Sequence, residues 1–471
     1  MEVYQRDLVG LRDAVAQGAL GRQEIADALI GRLEAVDGKI NALVQSDFER
    51  LRARAAEMDR KAASGPLMGL PFALKDCLEV EGWVTTFGTK GFAQHVSDRS
   101  ATIVKRLEAA DGLLLGITNA PELGTSIETD NLLYGRTSNP IDLSRCPGGS
   151  TGGGAALVKA GAAPFVIGSD FGGGSRYTAH CCGLFAHRPS FGRVSTAGYL
   201  FGCSGMKGQM CRLAPLARSV RDLELVFSVV SGEDPDDPKT DGVTGRVRSA
   251  ASQIPRIAFA TGCDTAPPDG KTVDAIDAFA GALSSAFDVG KVDIDSIFRE
   301  GNAIARDLFC ADAGRLLGEA LKTVAGTTEI SQSMQFWLHC MKKRDEMRAG
   351  DFIVLMSRWE TFRLNVNRIL SDYDFIVIPT APAVAPKHGE TLNEDVFWNA
   401  IAYSAPLSLT ASPVVVAPIG VGTEGLPVTV QIAGRADDDE RLLAFCRALQ
   451  ETPGPAKALI DKALAVPTVF D

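Results

Sequence analysis

The chain opens in a helical rhythm. Leu8 to Gln17 and Arg22 to Val36 carry apolar residues at three- and four-residue spacing, which predicts two amphipathic helices with Gly18 and Gly38 as their stops. Asp47 to Ala63, charged and rich in Ala and Arg, reads as a helix on the surface. From Leu67 the pattern shifts to short apolar runs. "GLPFALKD" (Gly69–Asp76) and "GLLLGITN" (Gly112–Asn119) predict buried strands with a helix over Ala101–Ala110 between them. "AALVKAGAAPFVIG" predicts a short helix and then a strand. This alternation implies an α/β fold with a mixed, mostly parallel sheet.

Further on, "SGEDPDDPKTDG" (Ser231–Gly242) reads as a Pro/Asp-rich linker, "IPRIAFATG" as a new strand and Val273–Phe287 as a helix. Residues 265–365 are the most helical stretch and are expected to form an insertion over the core that contributes to a substrate pocket. "YDFIVIPTAPAVAP" and "SPVVVAPIGVGTEGLPVTVQIAGR" supply the last buried strands, and Asp438–Glu451 a closing helix. No internal repeat is present.

Composition narrows the class. The 471 residues are 45% hydrophobic and 23% charged, values typical of a globular chain. A net charge of -10 argues against nucleic acid as the main partner. The N-terminus has no basic segment followed by an apolar run, and no apolar stretch is long enough to span a membrane, so a cytoplasmic protein is expected. The ten cysteines include no C-x-x-C pair and no zinc spacing, and read as buried reduced thiols. The five histidines (95, 180, 187, 339 and 388) show no spacing that supports a His-based triad.

Three stretches carry candidate chemistry. In "GLPFALKD", Lys75 follows a buried run. Desolvation would make it a proton acceptor, whereas pairing with Asp76 would make it structural. "PGGSTGGGAAL" (Pro147–Leu157) has the texture of a phosphate loop but lacks the lysine of one, so the hydroxyls of Ser150 and Thr151 are the better candidates. In "GSDFGGGSR" (Gly168–Arg176), consecutive N–H groups from Phe171 to Gly174 could form an oxyanion hole.

Taken together with "CCGL", "FGRVS" (Phe191–Ser195), "YGRTSNPID" (Tyr134–Asp142) and "GLPVTVQIAGRADDDERLLAF", these stretches resemble the amidase signature family over nearly the whole chain. The resemblance implies a single large domain whose twisted sheet is covered by helices on both faces. Its parts are N-terminal helices 1–65, a signature core 66–230, a linker 231–254, the variable helical insertion 265–365 and C-terminal core elements 366–471. It implies a Ser–Ser–Lys mechanism with Lys75 as neutral base and Ser150, on a cis peptide bond, as proton relay. Phe171, Gly172, Gly173 and residue 174 would stabilise the oxyanion, and Thr151, Tyr134, Tyr177 and Arg176 would help bind substrate. No metal or organic cofactor is implied. The partner would be a small-molecule amide, and a homodimer is possible.

The family's third motif runs Asp-x-Gly-Gly-Ser-x-Arg. Here Asp170, Gly172, Gly173 and Arg176 keep that register, but Gly174 stands where the nucleophilic serine belongs. Three readings follow. The leading one is a serine amidase disabled by replacement of residue 174. The others are attack by the neighbouring Ser175, and a non-catalytic binding role. "TAHCCGLFAHRPSFG" (Thr178–Gly192) also departs from the family, so Tyr177, His180 and Arg188 are expected to reshape the pocket, with aromatic walls from Tyr134, Phe171, Tyr177, Tyr199, Phe336 and Trp337. The expected substrate is a small carboxamide, an aryl or acyl amide, or a urea-like compound. The rival enzyme reading is a glutaminase of the amidotransferase A type, which works with a second subunit.

Overall fold

The short apolar runs become the strands of one sheet. The computed structural model describes residues 2–61, 65–243, 254–312, 314–325 and 329–471. In chain order the strands are β1 (Leu43–Gln45), β2 (Pro71–Lys75), β3 (Leu113–Thr118), β4 (Phe165–Asp170), β5 (Phe185–Arg188), β6 (Arg212–Ala217), β7 (Arg256–Phe259), β8 (Asp288–Lys291), β9 (Phe375–Pro379), β10 (Val414–Val421) and β11 (Pro427–Ala433). They lie in the order β1-β3-β2-β4-β6-β5-β10-β11-β9-β7-β8. The sheet is mixed. Parallel pairing occupies two flanks, β3-β2-β4 and β9-β7-β8, and the pairs across the middle and at β1 are antiparallel.

Side-chain alternation explains why both faces are covered. Phe72 and Leu74 of β2, Phe165 and Ile167 of β4, and Val415 and Ala417 of β10 share one apolar cluster with helices Leu8–Ala16, Val220–Val230 and Asp439–Glu451. The intervening Ala73, Val166 and Val416 face the opposite cluster, built on helices Arg22–Ile40 and Gly152–Lys159. Strands buried on both sides read as near-continuous apolar runs.

The boundaries differ in instructive places. The second helix does not stop at Gly38; it runs to Ile40 and ends on Asn41 at φ 52°, while the Asp37 carboxylate accepts the freed N–H groups of Ala42 and Leu43 at 2.7 and 3.1 Å. A polar side chain near the end supplied the stop that the glycine had suggested. The third helix spans Phe48–Asp59, capped by Asp47; its expected end at Ala63 lies outside the described residues. Ser231–Gly242 is pinned to the core, because Asp237 accepts both the N–H and the hydroxyl of Thr196, at 2.8 and 2.9 Å. Most of the rest of the linker, 244–253, lies outside the described residues. Residues 265–365 are largely helical, as expected, yet they also contribute to the sheet: β8 pairs with β7 as an edge strand.

Candidate active site

Parallel pairing brings the C-terminal ends of β2 and β4 together, with Leu74 opposite Ile167. Lys75 closes β2, and Ser169 and Asp170 close β4. The glycine-rich turn after Pro147 opens helix Gly152–Lys159, and the second glycine loop joins β4 to helix Arg176–Cys182. Such strand–loop–helix junctions are where α/β sheets expose backbone donors and short side chains. The Gly149–Ser150 peptide bond is cis.

Lys75 is fully buried. Its Nζ lies 2.7 Å from Ser150 Oγ and 2.7 Å from Ser169 Oγ, and 5.3 Å from the centroid of Phe87. Asp76 is not its partner. That carboxylate accepts from the Thr86 N–H at 2.8 Å, the Thr86 hydroxyl and the Gly88 N–H. Burial pushes the Lys75 pKa below its ordinary value, and the carboxylates of Asp170 and Asp76, which make no ion pair with it, oppose that shift. The desolvated reading of "GLPFALKD" is therefore the one the structure adopts.

Position 174 faces this cluster. A Cβ built there would lie 2.7 Å from Ser150 Oγ and 2.7 Å from the Ser169 carbonyl oxygen. Ser175 turns elsewhere. It is fully buried, its Oγ lies 3.3 Å from Thr151 Oγ1, and it makes no hydrogen bond to Lys75 or Ser150. Adjacent residues in a turn point in different directions, so positions 174 and 175 are not equivalent as sites for a nucleophile.

Three other expectations need correction. Gly173 does not offer its N–H to an oxyanion, because that N–H donates to Asp170 Oδ1 at 3.1 Å. Among the described residues, the N–H groups of Phe171, Gly172 and Gly174 have no protein acceptor, so these remain the available donors. Arg176 has its guanidinium donors occupied within the protein. It is fully buried, and its guanidinium donors go to both Asp170 oxygens (2.8 and 2.9 Å), the Ser404 carbonyl (2.9 Å), Gln431 Oε1 (2.7 Å) and Ser408 Oγ (2.5 Å). Thr151 stitches the two glycine loops together: its N–H donates to the Gly174 carbonyl at 3.2 Å and its hydroxyl to the Ser169 carbonyl at 3.3 Å. Burial alone would raise the Asp170 pKa, but Arg176 and Arg188 bring it down to about 2.

The aromatic residues divide. Phe171 stacks on Phe309 at 5.1 Å, and Phe309 reaches Trp398 and Trp337 at 6.2 and 6.3 Å. Trp337 in turn packs on Phe397, which meets Phe336. This wall adjoins the glycine loop, since a Cβ on Gly172 would lie 3.0 Å from the Phe309 ring. Tyr177 is buried in the same apolar cluster, beside Ile127 and Trp337. Tyr134 is half-buried, and its hydroxyl reaches Thr86. Tyr199 packs edge-on against Phe87 and lines a separate cavity of about 1300 Å³, with Phe201, Met356 and Trp359. His180 and Arg188 are buried and bonded within the protein, His180 to the Ala383 carbonyl and Thr429 Oγ1. Sequence reasoning missed Ser169, Phe309, Trp398 and Ser404. Ser169 stood in the quoted loop. Phe309, Trp398 and Ser404 come from segments with no motif of their own.

Among the described residues no group of three His, Cys, Asp or Glu side chains is placed to hold a metal ion, and no helix is long and apolar enough to cross a membrane.

Comparison with known proteins supplies the family and the shared fold. A family model described as Amidase matches residues 24–443. The chain is similar to the A subunit of glutamyl-tRNA(Gln) amidotransferase from Anaeromyxobacter sp. (strain K), at 31% identity over 96% of this chain and 97% of the relative. A crystal structure of an amidase superposes with a TM-score of 0.81 at 26% identity, over 94% of this chain and 99% of that one. The 6-aminohexanoate cyclic dimer hydrolase complexed with substrate shares the fold, with a TM-score of 0.83 at 24% identity over the full length of both chains.

Proposed function

From the premise that this chain belongs to the amidase family, we propose that its site is built to hydrolyse the carbon–nitrogen bond of a small amide or urea-like molecule through a Ser–Ser–Lys relay, and that this chain lacks the attacking hydroxyl. The observation that carries the reading is Lys75: a lysine with no carboxylate partner among the described residues, buried and held 2.7 Å from Ser150 Oγ. A lysine paired for structure would face an acid; one desolvated against hydroxyls is suited to accept a proton.

In the complete relay a hydroxyl on residue 174 attacks the carbonyl carbon. Its proton passes to Ser150 Oγ as Ser150 gives its own to Lys75. The N–H groups of Gly172 and Gly174 receive the developing oxyanion. The proton returns through Ser150 to the leaving nitrogen, the C–N bond breaks, and water then hydrolyses the acyl-enzyme. The Phe171–Phe309–Trp398 wall supports an aryl or apolar acyl group as substrate. With glycine at 174 the relay has no atom to deprotonate, so the chain binds an amide without turning it over.

The test is a serine-reactive fluorophosphonate with peptide mapping, on this chain and on Gly174→Ser. Labelling of residue 174 in the variant, with turnover on an aryl amide panel, is expected. A folded variant that stays unlabelled at 174 overturns the relay, and labelling of this chain at Ser175 moves the nucleophile by one residue.

A second reading rests on the 31% identity to the amidotransferase relative. Glutamine would then be the amide, and a further protein chain would take up the ammonia. Glutaminase activity in Gly174→Ser that requires an added partner chain favours it; aryl amidase activity of the variant alone rules against it.

A further inference from the structure

The histidine that no spacing singled out sits in a constellation of its own. His388 Nδ1 lies 2.7 Å from Glu128 Oε1, and His388 Nε2 lies 3.4 Å from Ser138 Oγ. The three residues come from separate segments, so only the fold brings them together. Ser138 belongs to "YGRTSNPID", and the relay proposed for amide cleavage gives Ser138 itself no role.

The geometry points to a second, surface-facing nucleophilic site, in which Ser138, His388 and Glu128 form a Ser–His–Glu relay that takes small activated carboxylic or organophosphorus esters. Each link has a reason. Glu128 is buried, and its far oxygen is already held by the Gly389 N–H at 3.1 Å and the Thr391 hydroxyl at 2.6 Å. Its near oxygen, which Arg136 Nε also approaches at 3.5 Å, can only accept, so Nδ1 of neutral His388 carries the proton. That leaves the Nε2 lone pair for the Ser138 hydroxyl. Among the described residues, neither Ser138 Oγ nor His388 Nε2 has another hydrogen-bond partner. The His388 backbone is also fixed, its N–H donating to the Ser144 carbonyl at 3.1 Å. A nucleophile in reach of a base that a third group orients is the signature of activated serine, and such contacts are often loose before substrate arrives.

Ser138 and His388 are partly exposed, not sunk in the core. This limits the substrate to compounds with good leaving groups, which need little stabilisation beyond activation of the nucleophile. In the acyl step the Ser138 Oγ–carbonyl bond forms, the Oγ proton moves to His388 Nε2, and the ester C–O bond breaks as the leaving oxygen takes that proton. Water, deprotonated by His388, then releases the carboxylic acid and regenerates Ser138. With a fluorophosphonate the Oγ–P bond forms, fluoride leaves, and the serine stays modified.

The glycine at 174 isolates this site from the amide-cleaving one. This chain is treated with a fluorophosphonate, and the modified residue is mapped by peptide mass. Expected are labelling at Ser138, its loss in Ser138→Ala, and slowing by about a hundredfold in His388→Gln. A p-nitrophenyl acetate burst should disappear in the same variants. Absence of label at Ser138, or a labelling rate unchanged in His388→Gln, overturns the proposal. Should His388→Gln fail to fold, modification of His388 in this chain by diethyl pyrocarbonate reads the same dependence. Because the mapped position is 138, either result is independent of what Gly174→Ser shows at 174.

Discussion

Replacing Arg176 by Met tests whether that residue is a structural clamp or a substrate ligand. Its guanidinium is fully buried and spends its donors on five oxygens of this chain: both Asp170 oxygens, the Ser404 carbonyl, Gln431 Oε1 and Ser408 Oγ. Methionine keeps much of the volume and removes every one of those bonds. Asp170 would keep Arg188 Nε, at 3.6 Å, as its nearest ion pair. Breaking a buried pair by removing one partner costs about 3–5 kcal/mol. For a chain of 471 residues the unfolding entropy is roughly 1 kcal/mol per degree, so Tm should fall by about 3–5 °C. Linkage supplies a second readout. The Asp170 pKa is lowered from 3.8 to about 2, so its ionised form contributes roughly 2 kcal/mol, present above pH ~4 and lost as pH falls toward 2. That acid-side loss should shrink in the variant, and Asp170→Asn combined with Arg176→Met should recover part of the Tm. Thermal melts across pH make the measurement. A variant that melts within about 1 °C of the parent yet loses ligand binding would refute the clamp and restore the role of substrate ligand.

Lys75→Met should melt at or above the parent, because a buried lysine without a carboxylate partner costs stability, while in a Gly174→Ser background it should abolish labelling at 174; a clear drop in Tm would mean that the ammonium stabilises the fold. Gly173→Ala should lower Tm by about 1–3 °C, since Gly173 sits at φ +130° and a Cβ there would meet Ser404 Oγ at 2.2 Å; an unchanged melting curve would refute the packing of helix Ser404–Ser408 on the loop. Burial lowers the His180 pKa from 6.5 to about 4, so the unfolded chain binds the proton first as pH falls, and about 3 kcal/mol is lost between pH ~6.5 and ~4. Melts of His180→Asn should lack that part of the slope, and an identical pH profile would show that His180 titrates normally.

What the sequence made legible was chemistry tied to local backbone. Lys75 at the end of an apolar run and Ser150 between glycines are readable because strand, turn and hydroxyl lie within a few residues. The strand–helix alternation was readable for the same reason. Roles set by distant partners were not. Arg176 looked available for substrate because Ser404, Ser408 and Gln431, which consume its donors, lie more than 200 residues away. Gly173 looked like an oxyanion donor because nothing local showed that the Asp170 side chain folds back onto it. Phe309 and Trp398 had no motif to mark them, and the Ser138–His388–Glu128 contact is formed only by tertiary structure.

Position 174 separates two requirements that glycine usually mixes. Gly173 needs to be glycine, because its φ of +130° and the nearness of Ser404 both exclude a side chain. Gly174 has no such backbone need; its φ lies outside the left-handed range, so a serine could adopt the same conformation. Only space argues against one. The Cβ would press on Ser150 Oγ, which can rotate, and on the Ser169 carbonyl, which belongs to β4 and can move only with the strand. The loop of this chain therefore rests slightly nearer to Ser150 than a loop bearing a nucleophile can. Around it the supporting parts are all in place: Lys75 desolvated, Ser150 bonded to it, Asp170 clamped by Arg176, and the N–H groups of Gly172 and Gly174 without acceptors among the described residues. A buried lysine without an ion pair among the described residues costs stability, so its retention calls for a use. The persistence of these parts around a glycine supports the proposal that a hydroxyl at 174, with a small shift of the loop away from Ser150, would complete the relay.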